Sequence, residues 1–200
     1  MIHNVWAVGR NYADHAKELG NAVPGEPMIF LKAGSSVTTG PRVQWPAWAK
    51  DVHHELEWAL EFGPELRFSR MALALDLTER TLQGKLKSQG HPWTLAKSFT
   101  GSCPLSDWVK LPASEEDQKK LRLQLFVNGE SRQDGLVSQM IFPAEVLREF
   151  ILARFPVRPG DVLLTGTPAG VGALHAGDQL EGRLSLAGKE LLTVPWTVAG

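Results

Sequence analysis

Thirteen prolines and nineteen glycines are spread evenly over 200 residues. Proline cannot donate to a ladder or continue a helix, and glycine weakens both by its backbone entropy. A chain punctuated this often holds only short segments. Between the breaks, Val5–Val8, Met28–Leu31, Glu55–Phe62, Met71–Leu75, Leu121–Val127, Val162–Thr165 and Leu191–Trp196 have strand composition. Asn128-Gly129, after the alternating run Arg122–Val127, and Ala187-Gly188 are hairpin signals. Gly160-Asp161 and Gly177-Asp178 read as turns. Helical patterns are fewer: Asn11–Leu19, Thr78–Ser88 behind the caps Asp76 and Thr78, and Pro143–Ala153. The predicted class is mainly β (α+β) with a few short helices. With no repeat, linker or low-complexity tract, residues 1–200 are expected to form a single domain.

The net charge of −1 argues against nucleic acid or an anionic membrane as partner, since both select a basic excess. No apolar run approaches the ~20 residues that span a bilayer. The first residues lack a signal-peptide pattern, so the expected compartment is the cytoplasm. Cys103, the single cysteine, cannot form an intramolecular disulfide. It is expected to be a buried small side chain, with a reactive thiol as the alternative.

The most informative stretch is His53-His54-Glu55-Leu56-Glu57. In a strand, Glu55 and Glu57 project from one face while Leu56 and Trp58 take the other. Adjacent carboxylates are tolerated on a wet surface; in a cleft they require a cation, and oxygen ligands favour hard ions such as Mg²⁺, Mn²⁺ or Ca²⁺. Asp76 ends the apolar run Ala72–Leu75, where an acid caps a helix, pairs, or binds metal. Arg80 and Gln83 follow at helical spacing, and Lys97 sits in mostly apolar surroundings. Taken singly, each of these three fits a surface side chain.

Taken together, the motifs resemble the fumarylacetoacetate hydrolase family, and within it the small acylpyruvase and oxaloacetate decarboxylase branch. The matching stretches are Gly9–His15, Met28–Lys32, His53–Glu57, Leu75–Thr78, Lys97–Phe99, Ser102–Pro104 and Leu164–Gly172, in family order along nearly the whole chain. The resemblance implies a mixed β-sheet roll of the family's C-terminal-domain type, usually a homodimer, with no nucleic-acid or membrane partner. It implies that Glu55, Glu57 and Asp76 hold Mg²⁺ or Mn²⁺. It implies that Lys97, with a His15/Glu18 pair on a mobile lid around residues 10–25, is catalytic. Arg10, Arg80, Gln83 and Thr167 are then expected to contact a small 2-oxo acid. The Gly166-Thr167 turn could serve through backbone or hydroxyl donors, or be structural.

The expected reaction is hydrolysis of the carbon–carbon bond of a 3-acylpyruvate through a pyruvate enolate, with His15 activating water. Oxaloacetate decarboxylation or tautomerisation, or isomerisation of a dienoic diacid, is the alternative. One departure from the family stands out. Only nineteen positions separate Glu57 from Asp76, where the family carries a longer connection with a helix, and Met71-Ala72-Leu73 replaces its Gly-Tyr. Such a deletion is expected to loosen packing, expose apolar surface or alter the site. It therefore supports a third reading, a binding protein with impaired catalysis.

Overall fold

The computed structural model describes residues 1–13 and 24–200. The backbone is mainly β, as expected. Strands β1 (Asn4–Gly9), β2 (Met28–Ala33), β3 (Val37–Thr39), β4 (Arg42–Val43), β5 (Val52–His54), β6 (Leu56–Phe62), β7 (Phe68–Leu75) and β8 (Thr78–Glu79) come first. Next come β9 (Cys103–Leu105), β10 (Val109–Lys110), β11 (Leu121–Val127), β12 (Glu130–Leu136), β13 (Val162–Leu164), β14 (Gly172–Ala173), β15 (Gln179–Leu186) and β16 (Lys189–Val198). The largest sheet runs β2-β1-β13-β6-β7-β9-β3, with β10 pairing β7. A second runs β12-β11-β15-β16-β4, and a third β14-β5-β8. Parallel pairs (β1 with β13, β3 with β9, β16 with β4) among antiparallel ones make the sheets mixed.

All seven predicted strands are present, and both hairpin signals hold. Asn128 and Gly129 have φ of 53° and 82°, and Ala187 and Gly188 have 48° and 85°. Positive φ at both central residues gives the turn the twist that flanking strands need. Helices α1 (Arg80–Ser88), α2 (Thr94–Lys97), α3 (Glu115–Lys119) and α4 (Ala144–Leu152), with 3-10 turns at Gly34–Ser36 and Val137–Gln139, complete the regular structure of the described residues. Helix α1 starts later than predicted and has another cap. Thr78 and Glu79 pair with β5, and the Glu79 carboxylate accepts from the Leu82 N–H at 2.5 Å. The expected caps Asp76 and Thr78 are engaged elsewhere. The predicted helix Asn11–Leu19, and the lid containing it, fall mostly on residues 14–23, outside the described residues.

Side-chain size sorts the central hairpin into two faces. Leu56, Trp58, Leu60 and Phe62 of β6, with Met71, Leu73 and Leu75 of β7, all have zero exposure and face the second sheet. Each contributes on the order of 1.5–3 kcal/mol by burial. Gly182 of β15 packs where a side chain would not fit: a Cβ there would lie 2.8 Å from the Trp196 ring and 3.3 Å from Leu73 across the two sheets. The apolar groups of the opposite face are small: Ala59, Ala72 and Ala74. The shortened connection closes as a tight hairpin, with the Gly63 N–H donating to the Arg67 carbonyl at 2.7 Å. The expected loosening and apolar exposure are absent here because Met71–Leu75 remain fully buried.

Candidate functional site

The small-residue face of the β6–β7 hairpin carries the acids. Residues of one parity share a face, so Glu57 lies with Ala59, and Asp76 continues the row of Ala72 and Ala74. The register places Glu57 opposite Ala74, and the Asp76 N–H donates to the Glu55 carbonyl at 2.8 Å. Glu55 occupies the break between β5 and β6, not a continuous strand. The short Ala74 side chain leaves room beside Glu57. As a result Glu55, Glu57 and Asp76, all buried, bring oxygens within 4.8 Å of one another.

Cations surround this cluster. Lys97 Nζ donates to Glu55 Oε2 at 2.8 Å and to Asp76 Oδ2 at 2.5 Å. Burial pushes the Lys97 pKa down, but Asp76 and Glu55 outweigh it and hold the ammonium above its ordinary value. Lys32, with zero exposure, donates to Asp76 Oδ1 at 2.7 Å and to the Lys97 carbonyl. Arg80 donates through Nη2 to Glu55 Oε1 at 2.5 Å and through Nη1 to Gln83 Oε1 at 2.9 Å. Glu57 accepts from the Gly166 N–H at 2.6 Å. Burial, then the charges of Asp76 and Glu55, push its carboxyl well above the usual range.

A loop and a hairpin hold the other wall. Gly166 has φ of 99°, and a Cβ there would lie 2.7 Å from Asn11 Cβ. Asn11 fixes this approach by donating to the Thr165 carbonyl at 2.7 Å and accepting from the Phe142 N–H at 2.8 Å. Thr167 Oγ1 donates to the Leu56 carbonyl at 2.8 Å and accepts from Gln133 Nε2 at 2.7 Å. The Leu56 N–H donates to Gln133 Oε1 at 2.9 Å. Gln133 thus ties the loop to the peptide between the two glutamates. In this arrangement the Thr167 hydroxyl donates within the protein, while the residue itself lines the cleft.

Of the residues predicted from sequence, Arg10, Glu55, Glu57, Asp76, Arg80, Gln83, Lys97 and Thr167 line one cleft. His15 and Glu18 lie outside the described residues. Sequence reasoning missed the parts played by Lys32, Lys87 and Gln133. Lys32 carried a readable signal, since it ends an apolar strand just as Asp76 does. Lys87 stands seven residues after Arg80, on the same helix face. Gln133 gave none. Cys103 is buried, and burial pushes its thiol up to about 12, so it is the inert small side chain expected.

Two chemistries fit such a cluster: a closed ion-pair network or a metal centre. Glu57 bears on the choice. It is 1% exposed, and its neutral Gly166 donor cannot balance its charge. A carboxylate placed so needs a cation or a proton. Three convergent oxygen ligands beside an open cleft suit a hard divalent ion.

A sequence profile of the fumarylacetoacetate hydrolase C-terminal family matches residues 4–194. The mitochondrial oxaloacetate tautomerase FAHD1 of Bos taurus is 42% identical over 192 residues, covering 89% of this chain and 85% of the relative. The oxaloacetate tautomerase YcgM of Escherichia coli is 40% identical over 190 residues, covering 90% and 87%. Among solved structures, fumarylpyruvate hydrolase of Pseudomonas aeruginosa in complex with Mn²⁺ and pyruvate superimposes with a TM-score of 0.87. It is 30% identical and covers 99% of this chain and 90% of its own.

Proposed function

This chain belongs to the fumarylacetoacetate hydrolase family, a family of enzymes, and from that premise we propose that it is a divalent-metal-dependent enzyme forming the enolate of oxaloacetate. Tautomerisation is the leading reaction, with decarboxylation through the same enolate beside it. Acylpyruvate hydrolysis, foremost on sequence alone, becomes the second reading. The order changes because the relatives at 40–42% identity are oxaloacetate tautomerases, while the hydrolase is 30% identical.

The observation that carries the proposal is the buried triad Glu55, Glu57 and Asp76 at the floor of the cleft, with Lys97 bridging two of its members. These three carboxylates would hold Mg²⁺ or Mn²⁺. When bound, the ion supplies positive charge that lowers the energy of an enolate. Lys97 is held charged by Glu55 and Asp76, so it can stabilise negative charge developing on the substrate without giving up its own proton. Arg80, steadied by Glu55 and Gln83, binds and orients the substrate carboxylate. His15 moves the proton at the carbon next to the 2-oxo group, with Glu18 orienting it; the family resemblance supports these two roles.

The test is a Mg²⁺ and Mn²⁺ titration by calorimetry, followed by metal-dependent assays on the enol of oxaloacetate and on acetylpyruvate. Metal-dependent turnover of oxaloacetate at the higher kcat/KM is expected. Tight metal binding with turnover of neither substrate would replace this reading by the impaired-enzyme one.

A further inference from the structure

The cations of the cleft divide by partner. Lys32, Lys97 and Arg80 are each within ion-pair distance of a triad carboxylate. Arg10 and Lys87 line the same cleft, and neither has a carboxylate at ion-pair distance among the described residues. Arg10 Nε is buried without a hydrogen-bond acceptor. The Lys87 ammonium stands 4.8 Å from the centroid of the Trp93 ring. An aromatic face positions a cation and leaves its charge uncancelled. Trp93 in turn packs against Phe30 at 5.9 Å, and Phe30 carries Lys97 over its ring at 5.0 Å. One aromatic wall therefore sets a cation without an ion-pair partner among the described residues at the rim and a neutralised one at the floor.

We propose that Arg10, Lys87 and Trp93 form a subsite for a second carboxylate, so that the enzyme selects a 2-oxo diacid over a 2-oxo monoacid. This rests on the function proposed above and adds the part of the substrate remote from the 2-oxo group. Helix α1 supplies the link between the ends of the cleft. Arg80, Gln83 and Lys87 share one helical face, so one rigid element presents cations to both ends of a short diacid. Arg10 holds a φ of 60°, a conformation that a non-glycine residue adopts at a cost and that aims its side chain differently from an extended one. The electrostatics agree. Burial, then the like charges of Arg10, Arg80 and Lys97, lower the Lys87 pKa to about 8, with Glu55 opposing them. A second anion would relieve this crowding.

The test uses Lys87→Met, which keeps the stem and removes the charge, and Lys87→Arg, which keeps the charge. Metal-loaded proteins are titrated calorimetrically with 2-oxoglutarate and with 2-oxovalerate, which differ in the second carboxylate. Kinetics are measured on oxaloacetate and acetylpyruvate. For Lys87→Met the diacid-to-monoacid ratio, in affinity and in kcat/KM, should fall about tenfold, mainly through Kd and KM, the usual size for one charge-assisted contact. Lys87→Arg should recover most of it. Equal losses on both acids, or no change on either, would overturn the subsite while leaving the enolate chemistry standing. A wild-type protein that binds 2-oxovalerate with metal but shows no preference for 2-oxoglutarate would overturn it as well. Failure of the wild type to bind either acid with metal would overturn both proposals.

Discussion

Glu57 joins a cost in stability to a proposed role in metal binding. Its pKa lies well above the usual range, so the metal-free folded protein holds a proton there that the unfolded chain releases. The sign follows. Its contribution to stability is full below the ordinary glutamate value of ~4.3 and is lost as pH rises through the raised one. Metal-free Glu57→Gln should therefore melt above the wild type at pH ~8 and equal to it near pH ~4. With Mg²⁺ the order should reverse, because an amide is a poorer ligand than a carboxylate. Thermal scans of both proteins with and without metal decide this. A variant less stable than the wild type in the metal-free state at pH ~8 would show that the Glu57 charge is already compensated.

At the scale of elements, the β6–β7 hairpin and the loop carrying Gly166 build the site between them. Gly166→Ala would place a Cβ 2.7 Å from Asn11 Cβ at a φ of 99°. The strain is of order 1–3 kcal/mol. It should lower the melting temperature and also weaken metal binding, since the loop must move and the Gly166 N–H leaves Glu57. Unchanged metal affinity in calorimetry would show that the loop does not position Glu57. The two strands of this hairpin were legible as apolar, strand-forming runs, with Glu57 set on the face opposite Leu56 and Trp58. The register that sets Glu57 against Ala74 was not, since pairing depends on the turn, and the turn had been shortened. The caps of α1 were misread because Thr78 and Glu79 join a strand pairing with β5, a long-range contact that no local pattern records. Lys32 and Lys87 had readable signals, whereas Gln133 acquires its part only when β12 folds against β6.

For the whole molecule, no helix among the described residues is long and apolar enough to cross a membrane. Trp48 and Leu95 are 52% and 64% exposed, and Trp48 meets Phe99 edge-on at 5.6 Å, in the segment that also carries Leu95. The family resemblance makes a homodimer the expected assembly. Light scattering at micromolar concentration should give twice the 22.0 kDa chain mass, and a mass near 22.0 kDa would count against it.

The hairpin that carries the triad is also deeply buried in the largest sheet, with Leu56, Trp58, Leu60, Met71, Leu73 and Leu75 all at zero exposure. Its ligands cannot separate by fraying at an edge; they separate only when the sheet opens. Metal binding should therefore register far from the metal. Amide hydrogens in β6, β7 and β13 should all exchange more slowly by one common factor, set by the metal's free energy, while hydrogens at the tips of the β11–β12 and β15–β16 hairpins keep their rates.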